Sequence, residues 1–156
     1  SFRTENKTYE TEASEQRILK DQLTKELEEA HTEFLNKIDP KRKKEFEKDY
    51  AIHSEIKIKR QDLLKLADKN ISNSDSLNHI ISDNNSFIES LTTNKKLGKE
   101  EADKVWVAKK ERIAKFKADN ESLLGDIADY KSGISQLYKN TLTKYGKKEQ
   151  KVKKKK

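Results

Sequence analysis

The sequence predicts an all-α protein: an elongated, coiled-coil-like bundle of three helices, or of four, with a disordered basic C-terminal tail. Apolar residues recur at steps of three and four along most of the chain, which is the helical period. No stretch shows the alternation of a half-buried strand. Charged residues make up 40% of the chain and hydrophobic residues only 31%, a balance that suits amphipathic helices better than a spherical core.

The first helix is predicted to begin at about Tyr9, after a disordered segment over residues 1–8 that lacks periodicity. Its inward stripe consists of Leu19, Leu23, Leu27, Ala30, Phe34 and Ile38. Asp39 is the predicted N-cap of the next helix. Pro40 is its predicted first residue, because proline lacks the N–H that would be left unpaired there.

The second helix is predicted from Pro40 to about Ile71, with an apolar arc wide enough to contact two neighbours. The members of this arc are Phe46, Tyr50, Ile52, Ile56, Leu63, Leu64, Leu66, Ala67 and Ile71. Residues 70–76 are rich in Asn, Ser and Asp and weaken the helix. The sequence leaves open whether residues 77–92 continue this helix or form another. A turn containing Gly98 is predicted over residues 92–101.

The last helix is predicted from Glu101 to Tyr145, where Gly146 ends it. Its heptad seam contains Ala102, Trp106, Lys109, Ile113, Phe116, Asn120, Leu123, Ile127, Tyr130, Ile134 and Leu137. Trp106, Lys109, Phe116 and Asn120 are the candidate residues for contact with a partner along this seam. For Lys109 and Asn120, a role in register and a position at a wet edge stay equally open. Residues 9–145 are thus predicted as one bundle domain, followed by the tail 146–156.

Most of the net charge of +7 is carried by the tail. Residues 146–156 contain seven lysines and one glutamate, whereas the rest has 28 basic and 27 acidic residues. The tail lacks the aromatic residues on which bases stack, so no specific nucleic-acid recognition is expected. A second basic cluster starts the second helix, where its lysines either contact a polyanion or pair with Glu45 and Glu47. The candidate polyanion contacts are Lys41, Arg42, Lys43, Lys44, Lys147, Lys148, Lys151 and Lys153.

No catalytic, cofactor-binding or metal-binding residue is predicted, and an enzyme is not expected. The chain has no cysteine, no Gly-rich phosphate loop and no nucleophile elbow. Glu28 and His31 match the Glu-x-x-His pair of di-iron bundles, but such sites need a second pair, which neither His53 nor His79 provides. A solvated His31 on an acidic face is therefore the favoured interpretation.

Two stretches, "KIDPKRKKEFEKDYAIHSEIK" (37–57) and "YKNTLTKYGKKEQKV" (138–152), resemble the YkyA-type family of cell-wall-binding lipoproteins of Gram-positive bacteria. Helical outer-surface lipoproteins of spirochaetes have a similar composition. The resemblance implies a non-enzymatic, extracytoplasmic protein of the bacterial cell surface that binds cell-wall polymer or a protein partner through helical faces. The family's lipid-anchoring cysteine is absent, and the chain begins at Ser1 without methionine. We therefore expect a processed start, with membrane anchoring through a removed segment left open.

The alternative function is a cytoplasmic coiled-coil scaffold or adaptor that oligomerises through the seam over residues 102–137. A third possibility is a membrane- or nucleic-acid-surface binder that uses its lysines. The identity of the ligand and the oligomeric state are not specified by the sequence.

Overall fold

The computed structural model describes residues 1–93 and 97–148, and these are helical almost throughout. The helices are α1 (Phe2–Glu15), α2 (Lys20–Asn36), α3 (Lys43–Lys48), α4 (Tyr50–Thr93) and α5 (Lys99–Tyr145), with a 3₁₀ turn at Pro40–Arg42. In the described part no strand is present, and the single β-type pairing is an isolated bridge between Ile38 and Gly146. The prediction of an all-α helical bundle is confirmed. Residues 149–156 of the predicted tail lie outside the described residues.

Contacts between residues divide the chain into two compact units, each with its own core. Unit 1 contains residues 1–18 and 66–127, and unit 2 contains residues 19–65 and the chain from 128 onward. Both long helices therefore contribute to both units. In unit 1, α1 packs on α4 and α5 around a core of Ala13, Leu77, Ile80, Ile81 and Ile113, flanked by Tyr9 and Phe116.

The N-terminal segment was wrongly predicted to be disordered, since α1 begins at Phe2. The Ser1 hydroxyl oxygen caps this helix and accepts a hydrogen bond from the Thr4 N–H at 3.3 Å. The inward positions are Phe2, Asn6, Tyr9 and Ala13, at steps of four and three. One of these four positions carries an asparagine, which an apolar pattern does not register.

The predicted first helix is in fact two helices, because the chain breaks between Glu15 and Lys20. The side chain of Asn70 holds this break: its amide nitrogen donates to the Gln16 carbonyl at 2.9 Å, and its oxygen accepts from the Ile18 N–H at 2.8 Å. Two members of the predicted stripe are outside the core: Leu19, at the break, is 66% exposed, and Ala30 of α2 is also exposed. The buried members are Leu23, Leu27, Phe34 and Ile38.

The predicted cap at Asp39 is confirmed, but the helix it starts is short. The Asp39 carboxylate accepts from the Lys41 N–H at 3.0 Å, with Pro40 as the first residue of the 3₁₀ turn. After α3 the chain breaks at Asp49, whose carboxylate accepts from the Ile52 N–H at 3.3 Å as α4 begins. Tyr50, the first residue of α4, lies at the edge of the predicted arc and is 76% exposed.

Helix α4 answers the question that the sequence left open: residues 77–92 continue the second helix. The polar segment 70–76 lies inside α4 because Asn70 and Ser74 are fully buried and hydrogen-bonded to other helices. Helix α4 ends at Thr93 and α5 begins at Lys99, with Gly98 between them, as the predicted turn requires. Residues 94–96 of that turn lie outside the described residues.

Helix α5 matches the prediction closely, running from Lys99 to Tyr145. The buried members of the seam are Ala102, Trp106, Ile113, Asn120, Ile127 and Ile134. The other five seam members are partly buried. The inward face continues beyond the predicted seam through Tyr138, Thr141 and Tyr145.

Candidate functional site

Two basic segments that are about a hundred residues apart in sequence are joined by backbone hydrogen bonds in unit 2. The Asp39 N–H donates to the Tyr145 carbonyl at 2.8 Å, and the Lys147 N–H donates to the Lys37 carbonyl at 3.0 Å. These two bonds form the antiparallel bridge across Ile38 and Gly146. Residues 41–44 and residues 147–148 therefore emerge from the same bridge.

The bridge leaves no room for a side chain at position 146, where the chain has a glycine. Its N–H donates to the Leu142 carbonyl at 2.8 Å, which closes the last turn of α5. A Cβ atom at this position would lie 2.5 Å from that same carbonyl oxygen and 3.1 Å from the Leu142 Cβ. Because backbone atoms cannot move aside as a flexible side chain can, a larger residue would push the chain away from residues 37–39.

The predicted polyanion contacts divide into three groups. Lys41, Lys43 and Lys44 are exposed, and so are Lys147 and Lys148. Arg42 has a structural role, since its Nη1 donates to the backbone carbonyl of Lys144 near the C-terminal end of α5. Lys151 and Lys153 lie outside the described residues.

The alternative interpretation of the second cluster, pairing with local glutamates, finds no support among the described residues. There, no ion pair joins Lys41, Lys43 or Lys44 to Glu45 or Glu47. Lys37, which the sequence analysis did not single out, is exposed next to the bridge. We call the following six residues the basic surface: Lys37, Lys41, Lys43, Lys44, Lys147 and Lys148.

A cluster of aromatic rings fixes the elements that carry the basic surface. Phe34 of α2 stacks on Tyr138 of α5, with ring centroids 4.4 Å apart. Phe46 of α3 packs edge-on against Phe34 at 5.8 Å and against Tyr145 at 5.6 Å. Since Phe46 is buried and follows the basic cluster directly, it anchors residues 41–44 to the end of α5.

A hydrogen bond between Tyr145 and Asp49 closes this end of unit 2. The Tyr145 hydroxyl donates to the Asp49 carboxylate at 2.7 Å, and the Lys144 Nζ lies 3.8 Å from the same oxygen. The bond from Tyr145 lowers the pKa of the Asp49 carboxyl, and the bond to Asp49 raises the pKa of the Tyr145 hydroxyl. The carboxylate is thereby retained in its charged form among the surrounding cations.

His31 is partly buried, and the prediction of a solvated histidine is wrong. Its Nδ1 lies 3.1 Å from the Tyr138 hydroxyl. Burial, followed by the nearby charges of Arg60 and His53, lowers the pKa of His31 below its ordinary value of 6.5. Among the described residues, no group of three His, Cys, Asp or Glu side chains is arranged to hold a metal ion.

His53 is also tied to the aromatic cluster. Its Nε2 lies 2.8 Å from the Phe46 carbonyl oxygen, and its ring centroid lies 4.5 Å from that of Phe46. Because a carbonyl only accepts, Nε2 carries the hydrogen of this bond. His31 and His53 line a surface cavity of about 640 Å³ together with Lys43 and Lys147. This cavity therefore brings together one lysine from each basic segment.

The four candidate partner residues of the seam contact other parts of unit 1. The Trp106 ring stacks on Phe2 with centroids 4.6 Å apart, and its indole N–H donates to the Glu5 carboxylate. The Lys109 Nζ lies 5.2 Å from the centroid of the Phe87 ring. Phe116 packs against the unit 1 core, as described above.

Asn120 is fully buried, which favours a role in register over a wet edge. Its side-chain oxygen accepts from Asn73 at 2.7 Å and from Asn70 at 3.3 Å. Its amide nitrogen lies 3.4 Å from the Ser74 hydroxyl oxygen. Such paired amides fix how α5 aligns with α4, because a shift along the helix would leave them unpaired.

Comparisons of the chain with protein-family models, with curated proteins and with solved structures find no match. Within residues 1–93 and 97–148, every helix is too short or too polar to cross a membrane.

Proposed function

We propose that this chain is a non-enzymatic binding protein of the bacterial cell surface that contacts an anionic cell-wall polymer through the basic surface. The observation that carries the proposal is the backbone bridge between residues 37–39 and 145–147. The bridge brings lysines from two distant segments together at one end of unit 2. The surface location follows the resemblance of residues 37–57 and 138–152 to cell-wall-binding lipoproteins.

Electrostatics supports an anionic partner. Like charges close together repel, and the six lysines of the basic surface have no ion-pair partner in the described part of the chain. A polymer with repeated negative charges would relieve this repulsion and release its own condensed counterions on binding. Binding of this kind is sensitive to charge density and salt, and it has little requirement for sequence or shape.

The contacts in unit 1 favour this proposal over a scaffold that oligomerises through the seam. Trp106 and Asn120 are buried, and their polar atoms bond within the same chain. A partner helix that used these positions would first have to displace α1 or α4. The basic surface, in contrast, is exposed as it stands.

Co-sedimentation with isolated Gram-positive cell walls tests the proposal, using K41Q/K44Q/K148Q as the surface variant. Its matched control is K104Q/K110Q/K115Q, which removes the same charge from exposed positions of α5 in unit 1. At about 0.5–1 kcal/mol per lysine, the surface variant should bind about 10- to 100-fold more weakly. The slope of log K against log salt concentration should be less steep for the surface variant, by up to about 3.

The control should bind as the wild type does. Equal losses in both variants would show that overall charge governs binding and would overturn the assignment to the basic surface. If the wild type itself fails to sediment with the walls at physiological salt, the proposed partner is wrong.

A further inference from the structure

Two surface cavities of unit 2 share His31 and His53 in their walls. One is the cavity of about 640 Å³ that Lys43 and Lys147 also line. The other has a volume of about 340 Å³ and adds Lys57, Arg60 and Gln61. The single carboxylate among the residues lining the two cavities is Glu47, in the larger one. Among the polar side chains of both walls, cations and hydrogen-bond donors therefore outnumber acceptors.

Arg60 is the least satisfied polar group of the smaller cavity. Its side chain is partly buried, and its Nε is buried without a hydrogen-bond partner. Within the described residues no ion pair or hydrogen bond to the Arg60 side chain is present. Proteins rarely leave a buried donor of a charged group unpaired, because desolvation without a partner costs free energy. A bound anion would supply the acceptor that the chain lacks.

The two histidines add ring N–H donors to the walls. His53 donates through Nε2 to the Phe46 carbonyl, and His31 engages Tyr138 through Nδ1, so each ring has one nitrogen left. Burial and the neighbouring Arg60 lower the pKa of His31, and an anion beside its ring would favour the protonated form. The titratable and charged groups around the pair are Tyr138, Asp49, Lys43, Glu47, Lys57, Arg60 and Lys147.

We propose that the cavity of about 340 Å³ binds a phosphate group, with Arg60 as its principal ligand and His31 and His53 as further donors. This inference rests on the proposed function and names its ligand class: the phosphate of an anionic polymer's repeating unit. A guanidinium presents several N–H donors in a fixed plane that matches the oxygens of a phosphate. Apolar Ile56 and Leu64 lie in the same wall, and a less polar surrounding strengthens such contacts.

Phosphate fits these donors better than carboxylate does. The two oxygens of a carboxylate lie in one plane, whereas the two charged and two ester oxygens of a phosphodiester point in tetrahedral directions, toward the donors of Arg60, His31 and His53. Because the larger cavity shares both histidines, a polymer with one phosphate at Arg60 would continue toward Lys43 and Lys147. The basic surface then contributes general attraction, and Arg60 contributes selection of phosphate.

The test uses the full chain with R60Q and the matched control R112Q, which removes an exposed arginine of α5 in unit 1. The probes are a glycerol phosphate polymer, polyglutamate of equal charge, and inorganic phosphate, at pH 5.5 and pH 8. A phosphodiester keeps one charge across this range, so a pH effect on polymer binding reports on the protein. Circular dichroism verifies that both variants keep the wild-type helix content.

We expect the wild type to bind the phosphate polymer at least about fivefold more tightly at pH 5.5 than at pH 8. R60Q should lose about tenfold or more in affinity at pH 5.5, while R112Q should not change. Polyglutamate should bind wild type and R60Q alike. Inorganic phosphate should shift the imidazole resonances of His31 and His53 in the wild type, and R60Q should abolish that shift. A response to inorganic phosphate without an R60Q effect on the polymer would identify free phosphate as the ligand.

Equal polymer affinities of R60Q and R112Q, with no response of the two histidines to inorganic phosphate, would overturn the inference. The basic-surface variant K41Q/K44Q/K148Q separates this failure from failure of the proposed function, because none of its three lysines lines either cavity. If that variant still weakens polymer binding, the basic surface acts without a phosphate site. Tighter binding of polyglutamate than of the phosphate polymer would also refute selection of phosphate.

Discussion

Replacement of Asn70 by alanine should destabilise the protein more than any single substitution in the neighbouring polar segment. Asn70 is fully buried and makes three hydrogen bonds within unit 1. Two of them satisfy the Ile18 N–H and the Gln16 carbonyl, where α1 has ended and α2 has not begun. The third joins the Asn120 oxygen, which keeps a second donor from Asn73.

The magnitude follows from the groups that N70A leaves unpaired. The Ile18 N–H and the Gln16 carbonyl each lose the partner given by Asn70, at about 1–2 kcal/mol each, because both bonds are only partly buried. The higher helix propensity of alanine returns about 0.5 kcal/mol. We therefore expect a net loss of about 1.5–3.5 kcal/mol, against a typical total of about 5–15 kcal/mol. The melting temperature should fall by about 5–15 °C.

Urea unfolding followed by circular dichroism measures this loss, with N78A as the matched control. Asn78 is an exposed residue of the same helix, so its replacement should be neutral or slightly stabilising. The m-value, which is the slope of the unfolding free energy against urea concentration, has to be equal in both variants. A difference between their unfolding midpoints then reports a difference in stability. If N70A and N78A agree within about 0.5 kcal/mol, Asn70 does not hold the break, and the explanation of the split first helix is refuted.

Two further predictions concern unit 2. G146A should break the bridge and remove the hydrogen-exchange protection of its two amides, whereas G133A, whose added Cβ meets no atom within 4 Å, should stabilise α5 by about 0.5–1 kcal/mol. Retained protection in G146A would contradict the steric argument. Because the pKa of His31 is lowered in the folded state, the unfolded state binds more protons, and stability should decline as pH falls below 6.5. H31Q should flatten this decline in urea unfolding at pH 7.5 and 5.0, and an unchanged decline would exclude His31 as its source.

Periodicity and capping rules predicted the helices well where the inward face is apolar. Helix α5 and the cap at Asp39 are the clearest examples. The same rules failed where an asparagine occupies an inward position. Because Asn6 interrupts the apolar pattern, α1 was not predicted. Because Asn70 begins a polar segment, the centre of α4 was predicted as a weak helical stretch. An amide that is satisfied across helices is as suitable for a core as an apolar side chain, but no local pattern reveals its partner.

The candidate site could be predicted only in pieces. The sequence marked residues 41–44 and the lysine-rich end as basic, and local composition sufficed for that. The two basic segments are brought together by two backbone hydrogen bonds between distant parts of the chain, and side-chain patterns do not predict such bonds. Arg60 lies in a helical stretch with an ordinary mixture of charges, so only its unpaired Nε distinguishes it. His31 was misjudged because its partner Tyr138 lies 107 residues away.

The central claim is that the basic surface of unit 2, and not the lysine-rich end beyond it, binds the anionic polymer. The most direct test is the affinity of a full-length variant in which Lys151, Lys153, Lys154, Lys155 and Lys156 are glutamine, measured beside K41Q/K44Q/K148Q at physiological salt. We predict that the first variant retains most of the wild-type affinity for the glycerol phosphate polymer and that the second loses about 10- to 100-fold. Loss of binding in the first variant with full binding in the second would contradict it.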